Sequence, residues 1–383
     1  MPRVDVLIPA YNAAETLSAA IASIQCQTLA DILIHVVDDG STDATAAILT
    51  DLTAADPRIR VHRQPNGGIV AALNHGLTFC RGSFVARHDA DDLAYPERLA
   101  IQVAYLEDHP DVVAVGASAR HIGPDDQPLG SIAKPAPPDD ADPFHLPSRE
   151  PYIIHPLLTV RRSAIAAVGG YRHVHHSEDT DLYWRLIERG RLVNLRQVLG
   201  DYRLHDASIS GGSIVNGRIM AVGSQLAALS ARRRRAGRPD LAFRRADLAR
   251  YKEAGSLASM VAIAGERLDE EERVYLADAS AAKLLELTTY RPYDLAASDC
   301  DFIGGRARQG YPNLSPGLRG VQRRHVSGAA ARLAARGHWR EALRLVPPRL
   351  LPGFAARVLL RTGIPPFLRP LFRRRASRTA LEK

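Results

Sequence analysis

Four short apolar runs rich in β-branched residues recur at the front of the chain: Val4-Asp5-Val6-Leu7-Ile8, Ile32-Leu33-Ile34-His35-Val36-Val37, Ile59-Arg60-Val61-His62 and Ser83-Phe84-Val85-Ala86. Between them the apolar residues fall at helical spacing, as with Leu17, Ile21 and Ile24 in the segment 15–27. Strands alternating with helices in this way specify βαβ units and a mainly parallel sheet. In such a sheet ligands bind beyond the carboxyl ends of the strands. Three of those ends are chemically marked, by Pro9-Ala10-Tyr11, by Asp38-Asp39, and by Asp89 with Asp91. One sheet edge therefore collects the candidate chemistry.

The fourth strand runs through Arg87-His88 into Asp89-Ala90-Asp91-Asp92, three carboxylates within four positions. Like charges a few ångströms apart at the mouth of a buried strand repel strongly, and a cation is the usual remedy. Carboxylate oxygens suit a hard divalent ion, Mg²⁺ or Mn²⁺. The plainer alternative is a solvated acidic turn that caps the helix opening at Pro96-Glu97.

Further on, 97–107 reads as helix, 112–116 as strand, and 123–150, rich in Pro, Asp and Gly, as a long surface loop. Residues 153–160 read as strand, and a short helix from Arg161-Arg162-Ser163 ends at Gly169-Gly170. A helix through Leu182–Ile187 follows Glu178-Asp179, with Ser177 and Asp179 able to cap it. A strand at 192–195 and the segment 199–205 close the first domain. The domains expected are 1–210 and an Ala-, Arg- and Leu-rich helical extension over 211–383.

Charge separates the two parts. Residues 321–383 hold fifteen Lys or Arg against two acids, so with a net charge of +8 overall the first 320 residues carry about −5. An Arg-rich tail with bulky apolar residues, Phe367-Leu368-Arg369 to Arg375, is built like a helix lying on an anionic membrane surface. Nucleic acid is not the expected partner, since no aromatic interleaving or binding motif accompanies the charge. Three scattered cysteines exclude a disulfide framework, and no run reaches the ~20 apolar residues of a membrane span. With no secretory leader at Met1-Pro2-Arg3, the expected location is the cytoplasm, peripheral on the inner face of the cell membrane.

The chain resembles the family 2 glycosyltransferases, inverting enzymes of the GT-A fold. The resemblance rests on Ile8-Pro9-Ala10-Tyr11-Asn12, Val37-Asp38-Asp39-Gly40-Ser41, Asn66-Gly67-Gly68, Asp89-Ala90-Asp91-Asp92, His155-Pro156, Gly169-Gly170-Tyr171, Glu178-Asp179-Thr180-Asp181 and Tyr202-Arg203-Leu204-His205 in order. It implies a GT-A domain with a helical extension and a nucleotide-sugar donor, UDP-, GDP- or dTDP-linked. It also implies a divalent metal (Mn²⁺ or Mg²⁺) held by Asp91, with Asp89 and His205 beside it. Pro9, Ala10, Tyr11, Asp39, Gly67, Gly68, Arg87, Asp89 and Ala90 would form the donor site, and Asp39 would accept from a base N–H. Asp179 would be the catalytic base and Glu178 its partner at the acceptor. His155 would line the acceptor side, and His173, His175 and His176 would belong to an acceptor loop. The chain departs from processive members, which carry Gln-x-x-Arg-Trp and membrane spans, so one sugar per encounter is expected, onto a cell-surface glycan or lipid-linked acceptor. Two other readings stand beside this one: a phosphohydrolase using Asp89 and Asp91, and a non-catalytic membrane scaffold of transferase fold.

Overall fold

The computed structural model describes residues 1–204, 213–291, 293–310 and 316–362. The first four runs form β1 (Val4–Ala10), β2 (Ile32–Asp38), β3 (Ile59–Arg63) and β4 (Phe84–Arg87). They are joined by α1 (Leu17–Gln25), α2 (Thr45–Ala55) and α3 (Ile69–Leu77). Then follow β5 (Leu93–Ala94), α4 (Arg98–Asp108), β6 (Val112–Ile122), β7 (Pro128–Ala133), β8 (Thr159–Arg161), α5 (Arg162–Ala167), α6 (Glu178–Leu186) and β9 (Arg191–Arg203). All nine strands join one sheet in the order β3-β2-β1-β4-β8-β6-β9-β5, with β7 against β6.

The sheet is parallel from β3 to β4 and at β6–β9 and antiparallel where β8 enters, between β4 and β6. The chain lays β2 and β3 to one side of β1 and returns to place β4 on the other. That reversal leaves a crevice beyond the ends of β1 and β4, where open α/β sheets take their ligands. Ala10-Tyr11 and Asp89–Asp92 both emerge into it.

Both faces of the strands are covered, which is why they read as nearly unbroken apolar runs. Val4, Val6, Ile8, Ile34 and Val36 pack with α1 and α4 residues such as Ile21, Ile24 and Leu106, while Leu7, Val37 and Val85 pack with Leu73, Ile165 and Leu182 on the other face. Asp5 is a fully buried exception. Its Oδ2 accepts from the amides of Arg81 and Gly82, both at 2.6 Å, and its Oδ1 is 3.1 Å from His35 Nε2. This carboxylate fixes the turn that delivers β4.

Three elements differ from the sequence reading. Residues 153–158 are not strand: Pro156 supports a 3₁₀ turn at His155–Leu157, and only Thr159–Arg161 pairs. The segment 123–150 contains the exposed strand β7. The stretches 192–195 and 199–205 are parts of one strand, β9, shifted in register at several points along β6.

Two compact units are present, one of Met1–Ser208 with Leu226–Arg245, the other of Ile209–Gln225 with Ala246–Lys383. Helix α7 (Ile214–Arg235) contributes to both. The second unit contains α8 (Asp247–Glu253), α9 (Leu257–Gly265), α10 (Glu270–Leu287), α11 (Ala297–Gln309), α12 (Pro316–Ala335), α13 (Trp339–Leu345) and α14 (Leu351–Thr362). Its buried Asp299 takes Arg218 in a two-pronged pair (2.9 and 2.7 Å) and also accepts the amides of Leu257 and Ala296. The basic tail beyond Thr362 lies outside the described residues.

At Gly76 of α3 an added Cβ would lie 2.1 Å from Leu7 Cδ1 and 3.0 Å from Val37 Cγ2. Gly76→Val is therefore expected to cost about 1–3 kcal/mol by overpacking. Urea unfolding should show a lower midpoint with an unchanged slope.

Candidate active site

The donor-side frame is built from three strand ends. Asp39 N donates to Ala10 O (2.9 Å), joining the ends of β1 and β2. Asn12 holds φ 49°, its amide donates to Ser41 Oγ (3.0 Å), and its Oδ1 accepts from Thr42 N (2.8 Å). Between these anchors Tyr11 is 51% exposed, a ring free to lie against a flat ligand. Asp39 is buried, and its Oδ1 accepts from Gln64 Nε2 (2.6 Å) and Gly67 N (2.7 Å), its Oδ2 from Gly68 N (2.8 Å). Asp39 thus shapes the Asn66-Gly67-Gly68 turn, and one lone pair of Oδ2 is left to receive a further donor. Gly68, at φ 80°, adopts a conformation that side chains resist.

The acidic cluster lies beyond β4. One oxygen from each of Asp89, Asp91 and Asp92 falls within 4.8 Å of the others. Arg87 is buried and pairs with Asp89, and its Nε and Nη1 have no hydrogen-bond partner. Burial raises the Asp89 carboxyl, and Arg87 pulls it back in part. Burial, then the charges of Asp89 and Asp91, push Asp92 well above its usual range. Thr16 Oγ1 donates to Ala90 O (2.9 Å) and holds the turn against α1.

Asp92 is the residue that the resemblance did not single out. It does not cap α4, whose N-cap position is Glu97. Its Oδ1 accepts from Arg203 N (2.8 Å), and its buried Oδ2 has no partner among the described residues. A buried carboxylate oxygen with nothing to bond is costly, and beside two more acids it fits a cation. Arg203 is the second missed residue. Its side chain donates to Asp91 O (2.7 Å), Gly123 O (2.9 Å) and Pro124 O (2.8 Å), tying the cluster to the loop after β6. The Asp89-Ala90-Asp91-Asp92 and Tyr202-Arg203-Leu204-His205 motifs contain one each, but spacing alone could not show which atoms meet. His205 lies outside the described residues.

The second carboxylate pair opens α6. Glu178 and Asp179 are half-buried in its first turn, and Asp179 Oδ1 accepts from Thr180 N (2.7 Å). Ser177 makes no side-chain cap; its hydroxyl donates to His176 O instead (2.8 Å). Burial, then the Asp179 charge, push Glu178 up to about 8, and burial pushes Asp179 up to about 6. Of the two carboxyls, Glu178 is raised further.

Behind them Asp181 is fully buried and accepts from Arg185 Nε (2.9 Å) and Arg172 Nε (2.9 Å), fixing the loop before α6 to the helix. His155 Nε2 lies 2.8 Å from the Tyr171 hydroxyl, and burial holds its imidazole well below the ordinary value. His173, His175 and His176 form no metal-holding group among the described residues.

A parallel sheet with a switch-point crevice, an acidic cluster at its mouth and a separate carboxylate pair is the architecture of a GT-A glycosyltransferase. The model of glycosyl transferase family 2 matches residues 5–169. EpsE of Bacillus subtilis is 33% identical over 54% of this chain and 74% of its own length. The amylovoran biosynthesis glycosyltransferase AmsE of Erwinia amylovora is 32% identical over 56% of this chain and 79% of its own. The chain belongs to glycosyl transferase family 2 and is a glycosyltransferase. It spans only 21% of a larger relative, the Pasteurella multocida chondroitin synthase, at 27% identity. A mannosyltransferase structure from Pyrobaculum calidifontis, in complex with GDP-Man and Mn²⁺, is 20% identical over 94% of this chain and 85% of its own, with a TM-score of 0.49, a likeness that bears on no residue's role.

Asp39→Ala removes the acceptor of two backbone amides. Leaving a buried donor unsatisfied costs about 1–3 kcal/mol. Thermal unfolding should move down accordingly, and hydrogen exchange at Gly67 and Gly68 should become faster than at the centre of β1.

Proposed function

We propose that this glycosyltransferase moves a single sugar, with inversion, from a nucleotide-sugar (UDP-, GDP- or dTDP-linked) to a hydroxyl of a cell-surface glycan or lipid-linked acceptor. The observation that carries the reading is the pairing of two acidic groups with opposite needs. The Asp89-Asp91-Asp92 cluster has an orphaned oxygen and calls for a cation. The Glu178–Asp179 pair instead has both carboxyls raised by burial, Glu178 further than Asp179.

Tyr11 and the remaining lone pair of Asp39 would receive the base of the nucleotide, with Pro9 and Ala10 forming the floor and Gly67 and Gly68 allowing close backbone approach. Asp91, with Asp89 and Asp92 beside it, would hold Mn²⁺ or Mg²⁺. When bound, such an ion supplies positive charge to the diphosphate and to the departing nucleoside diphosphate. Arg87, too buried to follow a ligand, holds Asp89 in place and offsets part of the rise that burial causes.

Asp179 is the better base because burial raises its carboxyl less, to about 6 against about 8 for Glu178. It would take the proton from the acceptor oxygen as that oxygen attacks the anomeric carbon opposite the leaving group. Protonated Glu178 would donate a hydrogen bond to the acceptor.

A glycan acceptor is supported by relatives named for amylovoran and O-antigen biosynthesis. An anionic membrane surface, on the cytoplasmic side, is supported by the basic tail and by exposed Trp339, Leu343, Leu351 and Leu359. No helix among the described residues is long and apolar enough to cross a bilayer.

Wild-type protein should gain thermal stability with a nucleoside diphosphate plus Mn²⁺, and a chelator should reverse it. Asp91→Asn should lose that gain, and its retention would remove Asp91 from the metal site. Asp179→Asn should keep nucleotide binding and lose transfer by about 10²–10⁴-fold, the usual share of a general base. The pH–rate profile should be bell-shaped. Activity falls below about 6 as Asp179 takes up its proton and above about 8 as Glu178 loses its own. A cation bound nearby moves both limbs to lower pH.

A further inference from the structure

Beyond the family match, the first unit contains a stretch that reaches back to the site. After α7 the chain runs through Asp240 to Arg245, pinned at four points. Asp240 accepts from Arg172 Nη1 (2.8 Å) and Arg234 Nη1 (2.9 Å). The Arg172 guanidinium lies 4.9 Å from the centre of the Phe243 ring. His175 Nε2 is 3.1 Å from Arg244 O, and Arg245 Nη2 donates to Asn66 O at 3.2 Å. The strap thus passes from the loop before Glu178 to the turn whose next two amides are held by Asp39.

Arg245 is exposed, and no carboxylate among the described residues pairs with it. Burial, then the Arg245 charge, hold nearby His173 below its ordinary value. The known site is short of mobile positive charge. Arg87 is buried against Asp89, Arg98 and Arg203 are buried and donate to backbone carbonyls, and burial holds His155 well below its ordinary value. A diphosphate arriving there gains from any guanidinium on the rim, because planar paired N–H donors match phosphate oxygens.

We propose that residues 240–245 form the rim of the donor cleft and that Arg245 binds the diphosphate of the donor nucleotide. The inference rests on the nucleotide-sugar reading above and adds to it a contact from outside the matched region. One guanidinium nitrogen stays on Asn66 O and anchors the side chain, while the others face the phosphates. Arg172, through Asp240 and Phe243, is the positioning residue that holds the strap.

The test uses the full chain with Mn²⁺ and compares UDP, GDP and dTDP with their nucleosides by calorimetry. For the diphosphate that binds wild type, Arg245→Ala should weaken affinity at least tenfold, leave the matching nucleoside unaffected, and leave the melting temperature of the free protein unchanged. Arg245→Lys should recover part of the loss. Unchanged diphosphate affinity in Arg245→Ala overturns the inference. So does an equal loss for nucleoside and diphosphate, which would mean that Arg245 only shapes the turn. If wild type binds none of the three diphosphates, the donor reading itself fails, and this one with it.

Discussion

One buried guanidinium among carboxylates sets the terms for the rest of the site. Arg87 sits at the end of β4, paired with Asp89, and its charge is felt at Asp92, Glu178 and Asp179 and at the Tyr171 hydroxyl. A buried cation is tolerable only with partners, and so are buried acids. Here the acids outnumber the buried arginines, one oxygen of Asp92 has no partner among the described residues, and burial raises the Glu178 carboxyl. The fold therefore holds the site short of positive charge, ready for ligands that bring it.

That arrangement persists because its supports lie behind it. Arg98 is fully buried and donates to Arg87 O (2.6 Å), so the backbone carrying the central cation cannot shift freely. Arg203 does the same for Asp91, and Asp181 with Arg172 and Arg185 for the start of α6. The Arg203 support joins segments far apart in the chain, while those at Arg87 and at the start of α6 are local. The two carboxylate groups are consequently held by separate frames. This suits chemistry in which one binds the leaving group and the other must stay poised for a proton.

Much of this was legible in sequence where the physics is local. The four apolar runs and the turn residues at their ends identified β1 to β4, because strands buried on both faces need that composition. The acidic triplet and the Glu178-Asp179 pair were visible as residue types at fixed spacing. Less local features were not. Residues 153–158 looked like strand by composition, yet Pro156 cannot donate to a ladder and the chain turns there. Asp92 looked like a helix cap, but its oxygen is claimed by Arg203, more than a hundred residues away.

The sequence alone determined the class of fold, the end of the sheet that bears the chemistry and the membership in a family, since hydrophobic period and turn chemistry act over a few residues. Only the tertiary structure decided which acids lie together and how far each is raised, because desolvation and charge coupling depend on neighbours that the chain order does not reveal. It alone also brought Arg245 beside Asn66, a contact made when α7 turns the chain back toward the sheet.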